Sequence, residues 1–283
     1  MIELQNLTKK FGEFTAVDHM DLKIETGEFF GLLGTNGAGK TTTINLLSTV
    51  LLPTEGRVLV DGQEMTRTNT RLRRKISMIT QEYSMRQEMT MDEVMEYQGR
   101  LYYMPRKKIR ERTDELLEYC GLIEFRKRTV RRLSGGMKRK LMVCRALLTE
   151  PEILLLDEPT AGMDAVSRRQ MWGLLRKLNN QNLTIVLTTH YMEEAEALCQ
   201  RVAFMEKGKL TVVDSPEAMI RNLGAYAVDT MEGDEQKSRF FSDRDAAVQF
   251  LAGSDRHATL RNTTLEDVFV NNVTFHGKSG RRN

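Results

Sequence analysis

Leu133-Ser134-Gly135-Gly136-Met137 stands between two segments that together fix its meaning. Upstream is Gly34-Thr35-Asn36-Gly37-Ala38-Gly39-Lys40-Thr41, which satisfies G-x-x-x-x-G-K-[ST] at every fixed position. Downstream is Ile153-Leu154-Leu155-Leu156-Asp157-Glu158-Pro159, an apolar run that ends in two acids. Phe29-Phe30-Gly31-Leu32-Leu33 precedes the first glycines and reads as a buried strand. Apolar residues at Ile44, Leu46, Leu47 and Val50 follow at close to a helical period. The glycines therefore lie between a strand and a helix, the context that makes such a loop a phosphate cradle. Gly34, Gly37 and Gly39 let backbone N–H groups turn inward, and the helix N-terminus adds partial positive charge. Lys40 is placed for the β- and γ-phosphates, and the Thr41 hydroxyl for Mg²⁺.

The acid pair has two readings by itself. It can close any buried parallel strand, or it can mark a ligand site, because α/β sheets bind ligands beyond the carboxyl ends of their strands. The phosphate loop selects the second reading: Asp157 for Mg²⁺, through water, and Glu158 as general base toward the attacking water.

A phosphate loop, then L-S-G-G, then an apolar strand ending in Asp-Glu, in this order, resembles the nucleotide-binding domain of ATP-binding cassette (ABC) ATPases. The likeness covers about the first 215 residues. It implies an α/β fold of the P-loop NTPase type, with a mainly parallel sheet core, an antiparallel β subdomain, a helical subdomain at about 82–150, and a small α+β tail at 216–283. It also implies ATP and Mg²⁺ as ligands. Thr35, Asn36, Ala38 and Thr42 join the three glycines, Lys40 and Thr41 in binding nucleotide. Gln81, after the strand Ile76–Ile79, would contact Mg²⁺ and the attacking water; its bland alternative is a solvated loop glutamine. His190, after Thr188-Thr189, matches the switch histidine that contacts the γ-phosphate, against the alternative of a structural histidine. Phe11, in Lys9-Lys10-Phe11-Gly12, stands where the family stacks adenine on an aromatic ring, with a core aromatic as the alternative. Ser134, Gly135 and Gly136 would close on the nucleotide of a second subunit, so the working unit is a dimer of two half-sites. Asp164, in Ala161-Gly162-Met163-Asp164, would shape that interface. Thr35 stands where Pro is common and Lys140 where Arg is common; neither removes a catalytic group.

Composition narrows the class. The 283 residues carry 42 basic and 39 acidic side chains, a net +3, which argues against a dedicated nucleic-acid binder. Cys120, Cys144 and Cys199 are too widely spaced for a metal or redox motif and suit a reducing cytosol. The start shows no signal peptide, and no apolar run approaches the roughly 18–20 residues a membrane span needs. A transport role therefore requires transmembrane permease subunits from another polypeptide, with this chain cytoplasmic and peripheral on the inner membrane face. Ala161–Arg169, Thr189–Glu196 and Thr264–Phe269 are most similar to ATPases of bacterial drug-resistance and ABC-2-type exporters. The competing class is a soluble ABC ATPase acting on nucleic acid or the ribosome. The lack of sustained heptads and the single phosphate loop speak against it, and no N-K-x-D motif supports a GTPase.

Along the chain, antiparallel strands are expected in residues 1–30, a strand at 56–62 and a helix from Thr90 with a Thr90–Glu93 capping box. Further helices are expected at 106–120, 166–179 and 191–199, and strands at 183–188 and 201–205. Ser215-Pro216-Glu217 marks a boundary. Beyond it, short strands (Ala225–Thr230, His257–Arg261) and a helix at Thr264–Val270 are expected, with a disordered end from Gly277 to Asn283. The basic cluster Arg126, Lys127, Arg128, Arg131, Arg132, Lys138, Arg139 and Lys140 reads as a solvated face, with a membrane-facing patch as the alternative. Met85, Met89, Met91, Met95 and Met104 form either a permease groove or core filling.

Overall fold

The computed structural model describes residues 1–82, 85–232, 235–254 and 258–279. The elements, in chain order, are β1 (Ile2–Phe11), β2 (Phe14–Ile24), β3 (Phe29–Leu33), α1 (Lys40–Leu47), β4 (Glu55–Val60), β5 (Gln63–Glu64), α2 (Thr70–Arg74) and β6 (Ile76–Ile79). Then come α3 (Met91–Leu101), α4 (Arg106–Tyr119), α5 (Gly135–Leu147), β7 (Ile153–Asp157), α6 (Ala165–Asn179), β8 (Thr184–Thr189), α7 (Met192–Leu198), β9 (Arg201–Glu206) and β10 (Lys209–Asp214). The C-terminal part holds α8 (Pro216–Leu223), β11 (Tyr226–Glu232), β12 (Glu235–Phe241), α9 (Arg244–Ala252), β13 (Thr259–Asn262) and α10 (Leu265–Ser279).

Among the described residues these strands make three sheets. The central one runs β10-β9-β3-β8-β7-β6, parallel except for β10, which pairs antiparallel with β9. An antiparallel sheet runs β2-β1-β4-β5, and a small antiparallel sheet runs β12-β11-β13. The fold expected from the motifs is thus the fold observed, mixed α/β around a parallel-rich sheet.

The continuous apolar strands of the central sheet follow from burial on both faces. Successive residues point to opposite sides. Phe29, Leu154, Leu156, Ile185 and Leu187 join the core under α5, α6 and α7. Phe30, Leu32, Ile153, Leu155 and Val186 join a second core with α1 and the antiparallel sheet, through Ile2, Leu4 and Val17. Thr90 caps α3 by the expected reciprocal bonds: its N–H donates to Glu93, and the Glu93 N–H donates to Thr90 Oγ1.

Four expectations change. Met85, Met91 and Met95 are buried, and Met89 and Met104 pack against the same core, so these methionines fill the helical lobe. The basic cluster is no uniform solvated face. Arg126 bridges Asp92 at 2.9 Å and Asp114 at 2.8 Å, tying α3 to α4, while Arg139 is 2% exposed. Charge counting along a sequence misses such partners because they come from other helices. Helix α10 runs through Ser279, so Gly277–Ser279 are helical; 280–283, like His257 of the expected strand, lie outside the described residues. The helical part expected from about residue 82 opens later: among the described residues its first helix begins at Met91.

The C-terminal part docks through α10. Leu265 and Val268 enter the core under α7, and the Phe269 ring meets Phe204 of β9 edge-on, with centroids 5.3 Å apart. Arg261 on β13 donates to both Asp229 and Asp267, fixing the start of α10 against β11. That pairing holds the pKa of Asp229 and of Asp267 low against the upward push of burial.

Candidate functional site

The phosphate loop leaves the end of β3 and enters α1. Gly39 has a φ of 111°, closed to other residues without strain, and a side chain there would strike the Ala16 carbonyl. A side chain at Gly34 would meet the Met205 carbonyl of β9. No side chain caps the N-terminus of α1, so its first amides remain available to an anion. Thr35, Asn36 and Gly37 are exposed and Ala38 is buried, anchoring the loop against the sheet. Lys40 is 6% exposed, and its ammonium folds back onto the loop, donating to the carbonyls of Gly34 (2.8 Å) and Thr35 (3.1 Å). Burial lowers its pKa, opposed by the nearby Glu158 and Asp157 charges.

Strand register brings the distant pieces to this loop. Leu33 pairs with Thr189, and Asp157 pairs with Thr188. Gly34, Glu158 and His190 therefore each stand one residue beyond the ends of three adjacent parallel strands. Asp157 Oδ1 accepts from Thr188 Oγ1 at 2.6 Å and from Thr41 Oγ1 at 3.1 Å. Glu158 adopts a φ of 49°, and its N–H bonds the Thr188 carbonyl, so the chain turns sharply and swings the carboxylate back over the loop. Its Oε1 lies 4.0 Å from Lys40 Nζ and its Oε2 3.0 Å from His190 Nδ1. The site residues Lys40, Thr41, Asp157, Glu158 and His190 thus converge, with Thr42 half-buried on the next position of α1.

Gln81 stands two residues past Ile79, whose partner on β7 is Leu156, so its backbone lies level with Glu158. Its side chain is exposed and makes no hydrogen bond to Thr41, Asp157 or Glu158 among the described residues. Its carbonyl is held by Arg139, which donates to the carbonyls of Thr80 (2.9 Å) and Gln81 (3.1 Å). Arg139 grows from α5, whose N-terminus is the Ser134-Gly135-Gly136 segment. Ser134 caps this helix, accepting from the Met137 N–H at 3.2 Å. Gly136 faces Ser167 and Met163, and Asp164 caps α6 by accepting from Val166 and Ser167. No hydrogen bond joins Ser134, Gly135 or Gly136 to residues 34–42 among the described residues. Phe11 is 48% exposed at the β1–β2 hairpin, with Lys9 Nζ 5.2 Å from its ring, so it is no core aromatic.

Sequence reasoning missed Thr188, which fixes Asp157, and Arg139, which fixes Gln81. The first is invisible without strand register, and the second was hidden in a run of cations.

A glycine loop running into an uncapped helix N-terminus, a buried lysine, a hydroxyl beside a carboxylate, and a second carboxylate against a histidine suit binding and hydrolysis of a nucleoside triphosphate. The comparisons agree. The family described as ABC transporter matches residues 17–161. The chain is 36% identical over 230 residues to the daunorubicin resistance ATP-binding protein DrrA3 of Streptomyces coeruleorubidus, covering 81% of this chain and 73% of that one. It is 38% identical over 237 residues to the Nod factor export ATP-binding protein I of Rhizobium sp. (strain N33), covering 83% and 78%. Among solved structures, the dimeric post-hydrolysis ATP-binding cassette MJ0796 with ADP and Pi aligns with a TM-score of 0.68 at 30% identity, covering 76% of this chain and 98% of that one. On this converging evidence of motif order, fold and relatives, the chain belongs to the ABC transporter family, as an ATP-binding and ATP-hydrolysing subunit.

Proposed function

We propose that the chain hydrolyses ATP to energise an exporter, and that Glu158 is the base. The observation that carries the reading is the position of the Glu158 carboxylate, between the Lys40 ammonium and the His190 ring at the ends of β3, β7 and β8. The triphosphate lies along residues 34–42 and the N-terminus of α1, with adenine on the exposed face of Phe11. Lys40 exchanges its loop carbonyls for phosphate oxygens. Glu158 takes the proton of the attacking water, and His190 orients against the γ-phosphate. Thr41 and Asp157 offer hard oxygen donors 3.1 Å apart, which fits Mg²⁺, and Gln81, beyond the end of the neighbouring strand β6, is the candidate for a third oxygen. Bound there, Mg²⁺ would neutralise phosphate charge. The dimeric cassette among the solved relatives supports a reading in which Ser134, Gly135 and Gly136 act on the nucleotide of a second ABC subunit.

The export role rests on the relatives, which are named for daunorubicin resistance and Nod factor export. No helix among the described residues is long and apolar enough to cross a membrane. The relatives are named as ATP-binding proteins of resistance and export systems, which supports a permease as the partner of this chain. Its docking site is a groove of about 560 Å³ between the phosphate-loop core and the helical lobe. Arg73, Arg74, Arg145, Leu101, Tyr102 and Tyr103 line it, and no carboxylate does. Tyr103 is 88% exposed and Leu101 55%, an apolar rim around positive charge that suits a cytoplasmic permease helix with acidic and apolar faces. A soluble role on nucleic acid or the ribosome gains no support from the relatives.

Glu158→Gln tests the core of the reading. It keeps the side-chain shape and removes the base, so ATP binding should persist while hydrolysis slows roughly 10²–10⁴-fold and an ATP-bound dimer accumulates. Turnover near wild type, with only monomer in light scattering, refutes Glu158 as the base.

A further inference from the structure

Glu194 has no role in the site described above, yet its side chain has no exposure to solvent. It lies on α7, four residues past His190. Its Oε1 accepts from Thr160 Oγ1 at 2.8 Å and from Trp172 Nε1 at 3.1 Å. Three separate pieces of chain meet at that oxygen. Thr160 lies in the turn between Glu158 and Asp164, Trp172 lies on α6 (the helix that Asp164 caps), and Glu194 lies on the helix that begins beside His190. Burial raises the Glu194 pKa, and the donors Thr160, Thr189 and Trp172 oppose that rise. A second string runs parallel to the first. The Arg168 guanidinium lies 6.0 Å from the Trp172 ring and 5.6 Å from the Tyr191 ring, and the Tyr191 ring lies 4.0 Å from that of His190.

A carboxyl in this place is costly for stability alone. The surrounding Trp172, Met192, Ala195 and Leu198 are buried apolar residues, and an apolar side chain would fill the space without the desolvation penalty. What an apolar residue could not do is hold the Thr160 hydroxyl and the Trp172 indole in fixed directions. The backbone consequence is specific: Thr160 follows Glu158 by two residues, and the Ala161 N–H bonds the Glu158 carbonyl.

We propose that Glu194 is a positioning residue that fastens the turn after Glu158 to the helix after His190, so that base and histidine reach the phosphate end as one unit. This rests on the roles given above to Glu158 and His190. The turn also carries Asp164, so the strap relays a shift of that loop to both groups.

The test uses the full-length chain and four variants: Glu194→Leu, Glu194→Gln, Thr160→Val and Trp172→Phe. Calorimetry gives ATP affinity, and steady-state hydrolysis gives kcat and KM. Misplacement by about 1 Å costs up to roughly 10²-fold in rate, so Glu194→Leu and Thr160→Val should each lower kcat about 10-fold with Kd and KM within about twofold. A double variant combining Glu194→Leu with Thr160→Val, made in addition, should be no slower than the worse single one, because both break the same link. Glu194→Gln keeps an acceptor oxygen and should stay within about threefold of wild type. Unchanged kcat, additive losses, or equal falls in kcat and ATP affinity would overturn the proposal. If Glu194→Leu does not fold, Thr160→Val and Trp172→Phe decide alone by the same criteria. Glu158→Gln measured alongside separates the two readings. Normal turnover there sinks the role of the base, whereas loss there with wild-type strap variants sinks only the strap.

Discussion

Replacing Lys40 by Met should separate the binding role of the ammonium from its place in the fold. The stem keeps its length and its packing, and only the charge leaves. On binding ATP, the ammonium gains about two hydrogen bonds to charged phosphate oxygens, at about 3 kcal/mol each, the upper end for charged partners. It does not gain them from water. In the nucleotide-free protein it already donates to the Gly34 and Thr35 carbonyls. These neutral acceptors are worth about 1.5 kcal/mol each and must be surrendered, leaving a net of about 3 kcal/mol. That corresponds to a loss of roughly 10²-fold in ATP affinity, since about 1.4 kcal/mol is a factor of ten. The fold should not suffer. Burial depresses the Lys40 pKa below 10.5, so the charged form is disfavoured in the folded state. The sign follows: the group opposes folding below its folded pKa, and that opposition fades as pH rises from the folded value toward 10.5. Met removes that opposition together with the two loop hydrogen bonds, so the two changes offset and the apo variant should melt close to wild type at neutral pH. Calorimetric titration with ATP and Mg²⁺, paired with thermal unfolding of the apo protein, reads both quantities. An affinity within about threefold of wild type would refute the phosphate contact, because the net of about 3 kcal/mol corresponds to roughly 10²-fold. A large fall in apo melting temperature would instead assign the lysine a structural role.

Two further outcomes are expected. Tyr103→Glu places a carboxylate on the exposed rim of the arginine-lined groove and should abolish co-purification with the membrane partner while leaving ATP hydrolysis by the isolated chain within about twofold, as surface changes usually do; normal co-purification would remove the groove as the docking site. Leu265→Ala empties a fully buried position between α10 and α7 and should destabilise the protein by about 2–5 kcal/mol in denaturant unfolding, with protease cleavage around α10 increasing; a change below about 0.5 kcal/mol would show that α10 does not depend on this contact.

The strand–loop–helix turn at residues 34–41 was legible in the chain because it is contiguous. Residues 34–41 form one turn between a strand and a helix, and the local rules for glycine, the helix N-terminus and the lysine need no other segment. The same holds for the Thr90–Glu93 capping box and for strands whose apolar runs reveal burial on both faces. Periodicity failed where burial is weak. Strand β12 is exposed along most of its length, and α2 is five residues long, so neither writes a readable pattern. The methionines of the lobe also look alike in sequence whether they face solvent or core; the packing of α3, α4 and α5 decided that they are core.

What tertiary structure alone decided lies in pairs far apart along the chain. Thr188 fixes Asp157 across 31 positions, Thr160 meets Glu194 across 34, Arg139 holds Gln81 across 58, and Glu196 receives the Leu265 N–H across 69. A hydrogen bond needs its partners within about 3 Å and in a narrow range of angles. No sequence spacing encodes that; strand register and helix packing do. The sequence thus determined the candidate reacting groups and the glycine turn proposed to hold phosphate. The assembled sheet determined that Lys40, Glu158 and His190 share one edge, because only parallel pairing of β3, β8 and β7 brings the ends of three distant strands side by side.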